Sequence, residues 1–172
     1  MTALDRALLA ERSAVVLRHL DRMAAHLPAS PADLRPQQSA SDTVVLHLWQ
    51  AVQVTIDLAV STCVRLGLGS PPTYAAAFRL HADADITPTD LAERLARAAG
   101  FRNLLVHAYS PLDLGRVHAI ALAGPADLRA FLAAAGSRLG LIRRCSLLEA
   151  PDSLRWTPNC CPPSLRDVAD PG

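Results

Sequence analysis

The chain contains no lysine: all 17 of its basic residues are arginine. A Walker A lysine, a Schiff-base lysine and a Ser-Lys dyad are therefore excluded from its chemistry. Aromatic residues are also scarce, 4% of the chain against 51% hydrophobic residues in all. Such a core has to be built from Ala, Leu and Val, which suits closely packed helices better than a sheet sandwich. The four cysteines, Cys63, Cys145, Cys160 and Cys161, form no C-x-x-C pair, and Cys160-Cys161 has no nearby histidine to complete a metal site. No uninterrupted apolar run approaches the roughly 20 residues that span a bilayer. The opening residues Met1 to Arg6 interleave acid and base, unlike a signal or transit peptide. The expectation from these absences is a soluble cytoplasmic protein with reduced thiols and no membrane segment. The formal net charge of +1 sets up no global field of the kind that marks nucleic-acid binders, so any RNA contact has to come from a local patch.

At 172 residues the length allows one domain with a substantial core. Apolar residues recur in steps of three, four or seven through Leu8, Val15, Val16, Leu20, Met23 and Leu27, which predicts a first amphipathic helix. Pro28, Pro31 and Pro36 end it. A second, more apolar and central helix follows through Val44, Leu48, Val52, Ile56, Ala59 and Cys63, with Ser41 and Asp42 as candidate caps and Gly67 and Gly69 closing it. Thr73 is placed to cap a short third helix from Tyr74 to about His81. Thr87-Pro88-Thr89-Asp90 reads as the start of a fourth, with Thr87 as cap, running to about Ala108 before Pro111. A fifth begins near Asp113, and Gly124-Pro125 is expected to kink or split it. The expectation is an all-α domain over residues 1–145 and a Pro-rich, loosely ordered tail over 146–172.

One segment carries chemistry. Arg102-Asn103-Leu104-Leu105-Val106-His107-Ala108-Tyr109 sets four polar side chains into a helix that otherwise reads as core. With about 100° between successive residues, Arg102 and Tyr109 share one stripe, and Asn103 and His107 share the neighbouring one. Metal-free RNA cleavage needs a base for the 2′-hydroxyl proton and a cation for the charge growing on the phosphate. His107 suits the first role, since imidazole titrates near neutrality. Arg102 suits the second, with a permanently charged planar fork. Asn103 is placed to fix the imidazole tautomer and Tyr109 to orient the phosphate. Arg102 and His107 lie about 140° apart on a straight helix, so a two-fold dimer that sets two copies of the segment against each other would complete the cleft.

The string resembles the R-x4-H-x-Y signature of HepT-like toxins of the HEPN superfamily, with Asp113 matching a Y-x-x-x-D extension. Gln53-Val54-Thr55-Ile56-Asp57, Leu66-Gly67-Leu68-Gly69 and Tyr74 to Phe78 fall in the order expected of that family, and the likeness covers roughly residues 4 to 135. The resemblance implies an antiparallel bundle of about five helices, a two-fold homodimer, and a metal-independent endoribonuclease toxin acting on RNA such as tRNA or mRNA. It implies Arg102 and His107 as catalytic residues, with Asn103, Tyr109 and Asp57 in support, and no cofactor. It further implies a minimal nucleotidyltransferase antitoxin that attaches AMP to Tyr109.

Simpler readings stand beside these. A buried Arg-Asn-His-Tyr network can hold helices in register, and Asp57 reads more readily as a core-edge partner for another polar group than as a catalyst. His19, His26, His47, His81 and His118 show no ligand spacing and read as surface or satisfied histidines. At the level of function, the alternative is a non-catalytic helical dimer that serves as binding partner or AMPylation substrate of a nucleotidyltransferase, a role that would not need Arg102 and His107.

Overall fold

In a computed structural model, residues 3–107 and 112–138 are described, with the side chains of 6–102 and 112–138 among them. The expected tail from residue 146 onward lies outside the described residues. Five α-helices follow one another: α1 (Ala3–His26), α2 (Ser39–Arg65), α3 (Tyr74–Asp83), α4 (Thr89–His107) and α5 (Leu114–Arg138), with one 3-10 turn at Pro31–Asp33. No strand occurs among the described residues. The all-α bundle expected from the sequence is what forms.

Helix α2 is the axis, packing against α1, α3, α4 and α5. Val44, Leu48, Ala51, Ile56, Ala59 and Cys63 are fully buried along it, which is possible only for a helix apolar on several sides. Two helices, α2 and α5, have the length and apolarity of membrane-crossing segments. Their apolar residues are those that fill this core, Val117, Ala121, Leu128 and Phe131 on α5 among them. Helix α1 lies along α2 through Val16, Leu20 and Met23. The same pair of helices is joined outside the core by the ring nitrogens of His19 and His47, 2.9 Å apart. Both imidazoles titrate below their usual range, first through burial and then through neighbouring charge, from His47, Arg18 and Arg22 on His19 and from Arg22 and His26 on His47.

The helix ends show which local signals act. Gly67 takes the left-handed conformation (φ 71°) just past α2, and the Leu68 N–H reaches back to the Cys63 carbonyl at 2.9 Å. That bond satisfies an orphan carbonyl of the last turn. Thr73 caps α3, its hydroxyl accepting from the Ala76 N–H at 3.1 Å. Asp113 does the same for α5, its carboxylate accepting from the Arg116 N–H at 3.0 Å.

Three expectations about where helices start or divide need correction. Ser41 and Asp42 lie inside the first turn of α2, whose cap position is Gln38, without a side-chain cap bond. Thr87 does not cap α4: its hydroxyl is buried without a partner among the described residues, and the first α4 bond runs from the Ala92 N–H to the Pro88 carbonyl. Pro125 does not split α5, which runs on to Arg138 with Val117 and Ala121 buried before it and Leu128 and Phe131 after it. Burial on both sides offsets the roughly 3 kcal/mol that an interior proline costs a helix.

His81 is neither a surface residue nor a satisfied one. Its ring is wholly buried, stands edge-on to Phe131 with centroids 5.2 Å apart, and neither nitrogen has a partner among the described residues. Burial lowers its pKa from 6.5 to about 4, so the folded protein holds it neutral. Between those values the unfolded chain binds a proton that the folded chain refuses. The stability associated with a neutral His81 is thus fully present above pH 6.5 and lost as the pH falls towards 4, about 3 kcal/mol in all. Urea midpoints measured from pH 7 to pH 4.5 should fall steeply for the wild type and much less for His81→Leu. The fall that both proteins share would belong to other groups, His19 and His47 included, and equal slopes would place the whole titration there.

Candidate functional site

Helix α4 is fixed before its chemistry begins. Leu91, Ala92, Leu95 and Ala99 are buried against the core, which sets the rotation of the helix about its axis. Two arginine pairs tie its outer face to its neighbours. Arg79 of α3 grips Glu93 through two bonds of 2.8 and 3.2 Å, and Arg94 lies 3.0 Å from both carboxylate oxygens of Asp127 on α5 while also bonding Asp90 at 2.8 Å. These forked contacts are geometrically restrictive even where solvent weakens them.

Phe101 continues the buried face, and the next residue turns Arg102 towards α2 and the start of α3. The Arg102 Nε–H donates to Gln53 Oε1 at 2.6 Å, and its guanidinium carbon sits 5.6 Å from the centroid of the Tyr74 ring. Gln53 passes the contact on, its amide nitrogen donating to Asp57 Oδ1 at 2.8 Å, one turn along α2. The orientation of the Gln53 amide follows from its neighbours, because guanidinium only donates and carboxylate only accepts. Three helices thus hold one cation: α4 supplies it, α2 grips it through hydrogen bonds, and α3 lays an aromatic ring beside it.

Of the residues singled out in the sequence, Arg102 and Asp57 are brought into one chain of contacts, with Asp57 exposed and acting through Gln53. The backbone of Asn103 and His107 continues α4, while their side chains, and Tyr109 as a whole, lie outside the described residues. Gln53 and Tyr74 are additions. Gln53 could have been found as a polar residue one turn before Asp57 on an otherwise apolar helix; nothing local to Tyr74 points to Arg102. Among the described residues no three His, Cys, Asp or Glu side chains come together in a way that could hold a metal ion.

The family described as Ribonuclease HepT-like matches residues 16–135, from the middle of α1 to the last turns of α5. The chain belongs to the Ribonuclease HepT-like family. Solved structures share its fold. The tri-AMPylated HEPN toxin of Shewanella oneidensis in complex with its MNT antitoxin superposes with a TM-score of 0.69 at 22% identity, over 80% of this chain and 99% of that one. A toxin-antitoxin structure with AMP-PNP gives a TM-score of 0.70 at 21% identity, over 76% and 98%. A mutant toxin-antitoxin complex described as MntA-HpeT gives 0.68 at 22%, again over 76% and 98%. No curated protein matches the chain in sequence. Within this HepT-like chain, the matched span contains all of the Arg102, Gln53, Asp57 and Tyr74 contacts.

Replacing Gln53 by Leu should leave the fold intact and cost roughly 1 kcal/mol, the usual worth of a hydrogen bond to a half-exposed charge. In urea titrations the loss should add only in part to that of Arg102→Leu, since both changes break the one contact that the two residues share. Full additivity would show that Gln53 does not hold Arg102.

Proposed function

We propose that this HepT-like chain is the toxin of a toxin-antitoxin pair, a metal-independent RNA endonuclease acting in the cytoplasm as a two-fold dimer. The observation that carries the reading is Arg102, a cation held in place by Gln53 and Tyr74 at the head of the Arg102-Asn103-x3-His107 segment of α4. A guanidinium so held in the free protein meets a scissile phosphate without searching for its position, which is how preorganised charge accelerates phosphoryl chemistry. In this reading His107 removes the proton from the ribose 2′-oxygen, that oxygen attacks phosphorus, and the bond to the 5′-oxygen breaks. Arg102 balances the charge on the non-bridging oxygens as it grows, and a proton delivered to the 5′-oxygen releases the second fragment. Asn103 sets the His107 tautomer. Arg102 and His107 diverge by about 140° on one helix, so a second copy of α4 completes each cleft across the dimer axis.

The structural relatives described as HEPN toxin with MNT antitoxin support a minimal nucleotidyltransferase as partner, and the description of one as tri-AMPylated supports modification as its means of control. The acceptor proposed here is Tyr109. Its phenol oxygen would attack the α-phosphate of ATP and expel pyrophosphate, leaving an anionic adenylate where the RNA backbone must lie.

Purified protein should degrade RNA in excess chelator, and Arg102→Ala or His107→Ala should abolish both cleavage and growth arrest while melting within a few degrees of the wild type. Growth arrest by the double variant would favour the non-catalytic partner role instead. Coexpression with a minimal nucleotidyltransferase should add AMP mass to the peptide that contains Tyr109 and silence cleavage. Tyr109→Phe should escape both effects, and modification found only on Tyr74 would overturn this account of control.

A further inference from the structure

Next to Tyr74 lies a cavity of about 540 Å³, walled by Pro71, Pro72 and Tyr74 on one side and by Ala96, Ala99 and Gly100 of α4 on the other. Its volume falls within the range of about 300–1,000 Å³ usual for small-molecule sites. Three features restrict what it takes. Its walls include two proline rings and a phenol, and Tyr74 stays 38% exposed while Phe78, Phe101 and Phe131 are buried in the core. Among the described residues no charged side chain lines it, and the Tyr74 ring that does has the Arg102 guanidinium 5.6 Å from its centroid.

The third feature is Gly100. Inside a helix, glycine costs roughly 1 kcal/mol relative to alanine. A Cβ built at Gly100 meets nothing within 4 Å, so contacts within the chain do not require glycine there. The room it leaves belongs to the cavity.

An open recess with a half-exposed aromatic ring in its wall, and an arginine against that same ring, has the chemistry of a site for one nucleotide. We infer that the cavity is a nucleobase subsite, which takes one unpaired base of the RNA and stacks it on Tyr74 while the adjoining phosphate meets Arg102. The inference rests on the ribonuclease reading and deepens it, because it makes the substrate single-stranded. In an A-form duplex the bases are stacked within the helix, and only loops, bulges and ends can offer one to a side pocket. Stacking selects for a π-face and tolerates all four bases, so the subsite discriminates by strandedness more than by sequence.

The test uses the full-length protein, a single-stranded RNA, and the same sequence in uncleavable 2′-O-methyl form read by fluorescence anisotropy. Tyr74→Phe should bind within twofold of the wild type. Tyr74→Leu should bind about tenfold more weakly, the size of loss expected when one base loses its aromatic platform. Because that change also removes the ring beside Arg102, Gly100→Leu supplies an independent arm: it fills the cavity, should weaken binding by a similar factor, and should melt no lower than the wild type, since leucine is the better helix former. One abasic nucleotide next to the cleaved bond should reproduce the loss in the wild type and cause none in Gly100→Leu. Wild-type affinity in both Tyr74→Leu and Gly100→Leu overturns the subsite, and leaves the ribonuclease reading intact if the proteins still cut RNA. If the wild type binds the uncleavable strand, loses that binding in both variants, and yet never cuts RNA, the subsite stands and the catalytic reading falls. A wild type that neither binds nor cuts overturns both.

Discussion

Burial of α2 is the constraint on which the rest depends. A helix of 27 residues with Val44, Leu48, Ala51, Ile56, Ala59 and Cys63 all fully covered has to be surrounded, and the other four helices are arranged as that cover. Few large rings are available, and Leu, Ala and Val fill most of the space between the helices. Gln53 is on α2, inside this ring of helices, and that is why it can meet an arginine from α4 some 49 positions later in the chain. The catalytic candidate is thus positioned by the same packing that makes the core.

Periodicity made the helices legible. Recurrence in steps of three and four placed each helix close to its observed bounds, because amphipathic faces and the core they form are the same physical fact read in one and in three dimensions. The glycine at 67, the threonine at 73 and the aspartate at 113 also acted locally as their chemistry suggests. What the sequence misled on was competition between local and tertiary terms. Ser41 and Thr87 are good cap residues by type, yet burial takes both hydroxyls out of the cap positions. Pro125 breaks an isolated helix, yet core contacts on both sides carry α5 past it. That His81 finds no hydrogen-bond partner among the described residues could not be read at all, since nothing in the residues around it says what the other helices bring to it.

The site divides in the same way. Arg102 was legible because four polar residues in an apolar helix are conspicuous, whereas Asp57 was reached only through the family resemblance, and its link to Arg102 through Gln53 appears only in the fold. Tyr74 was not legible, for its meeting with Arg102 is made by the fold of α3 back against α4, and no spacing in the chain encodes it. Family membership and local chemistry agree on where to look, and the geometry adds the residues that hold the arginine still.

That stillness has a thermodynamic side. A free arginine side chain samples many rotamers, worth about 2 kcal/mol of entropy, and a protein that recruits one to an incoming phosphate gives up that freedom at each encounter. Here the Gln53 and Tyr74 contacts remove it during folding. The disorder is surrendered once, when the chain closes around α2, and the loss is charged to stability rather than to turnover.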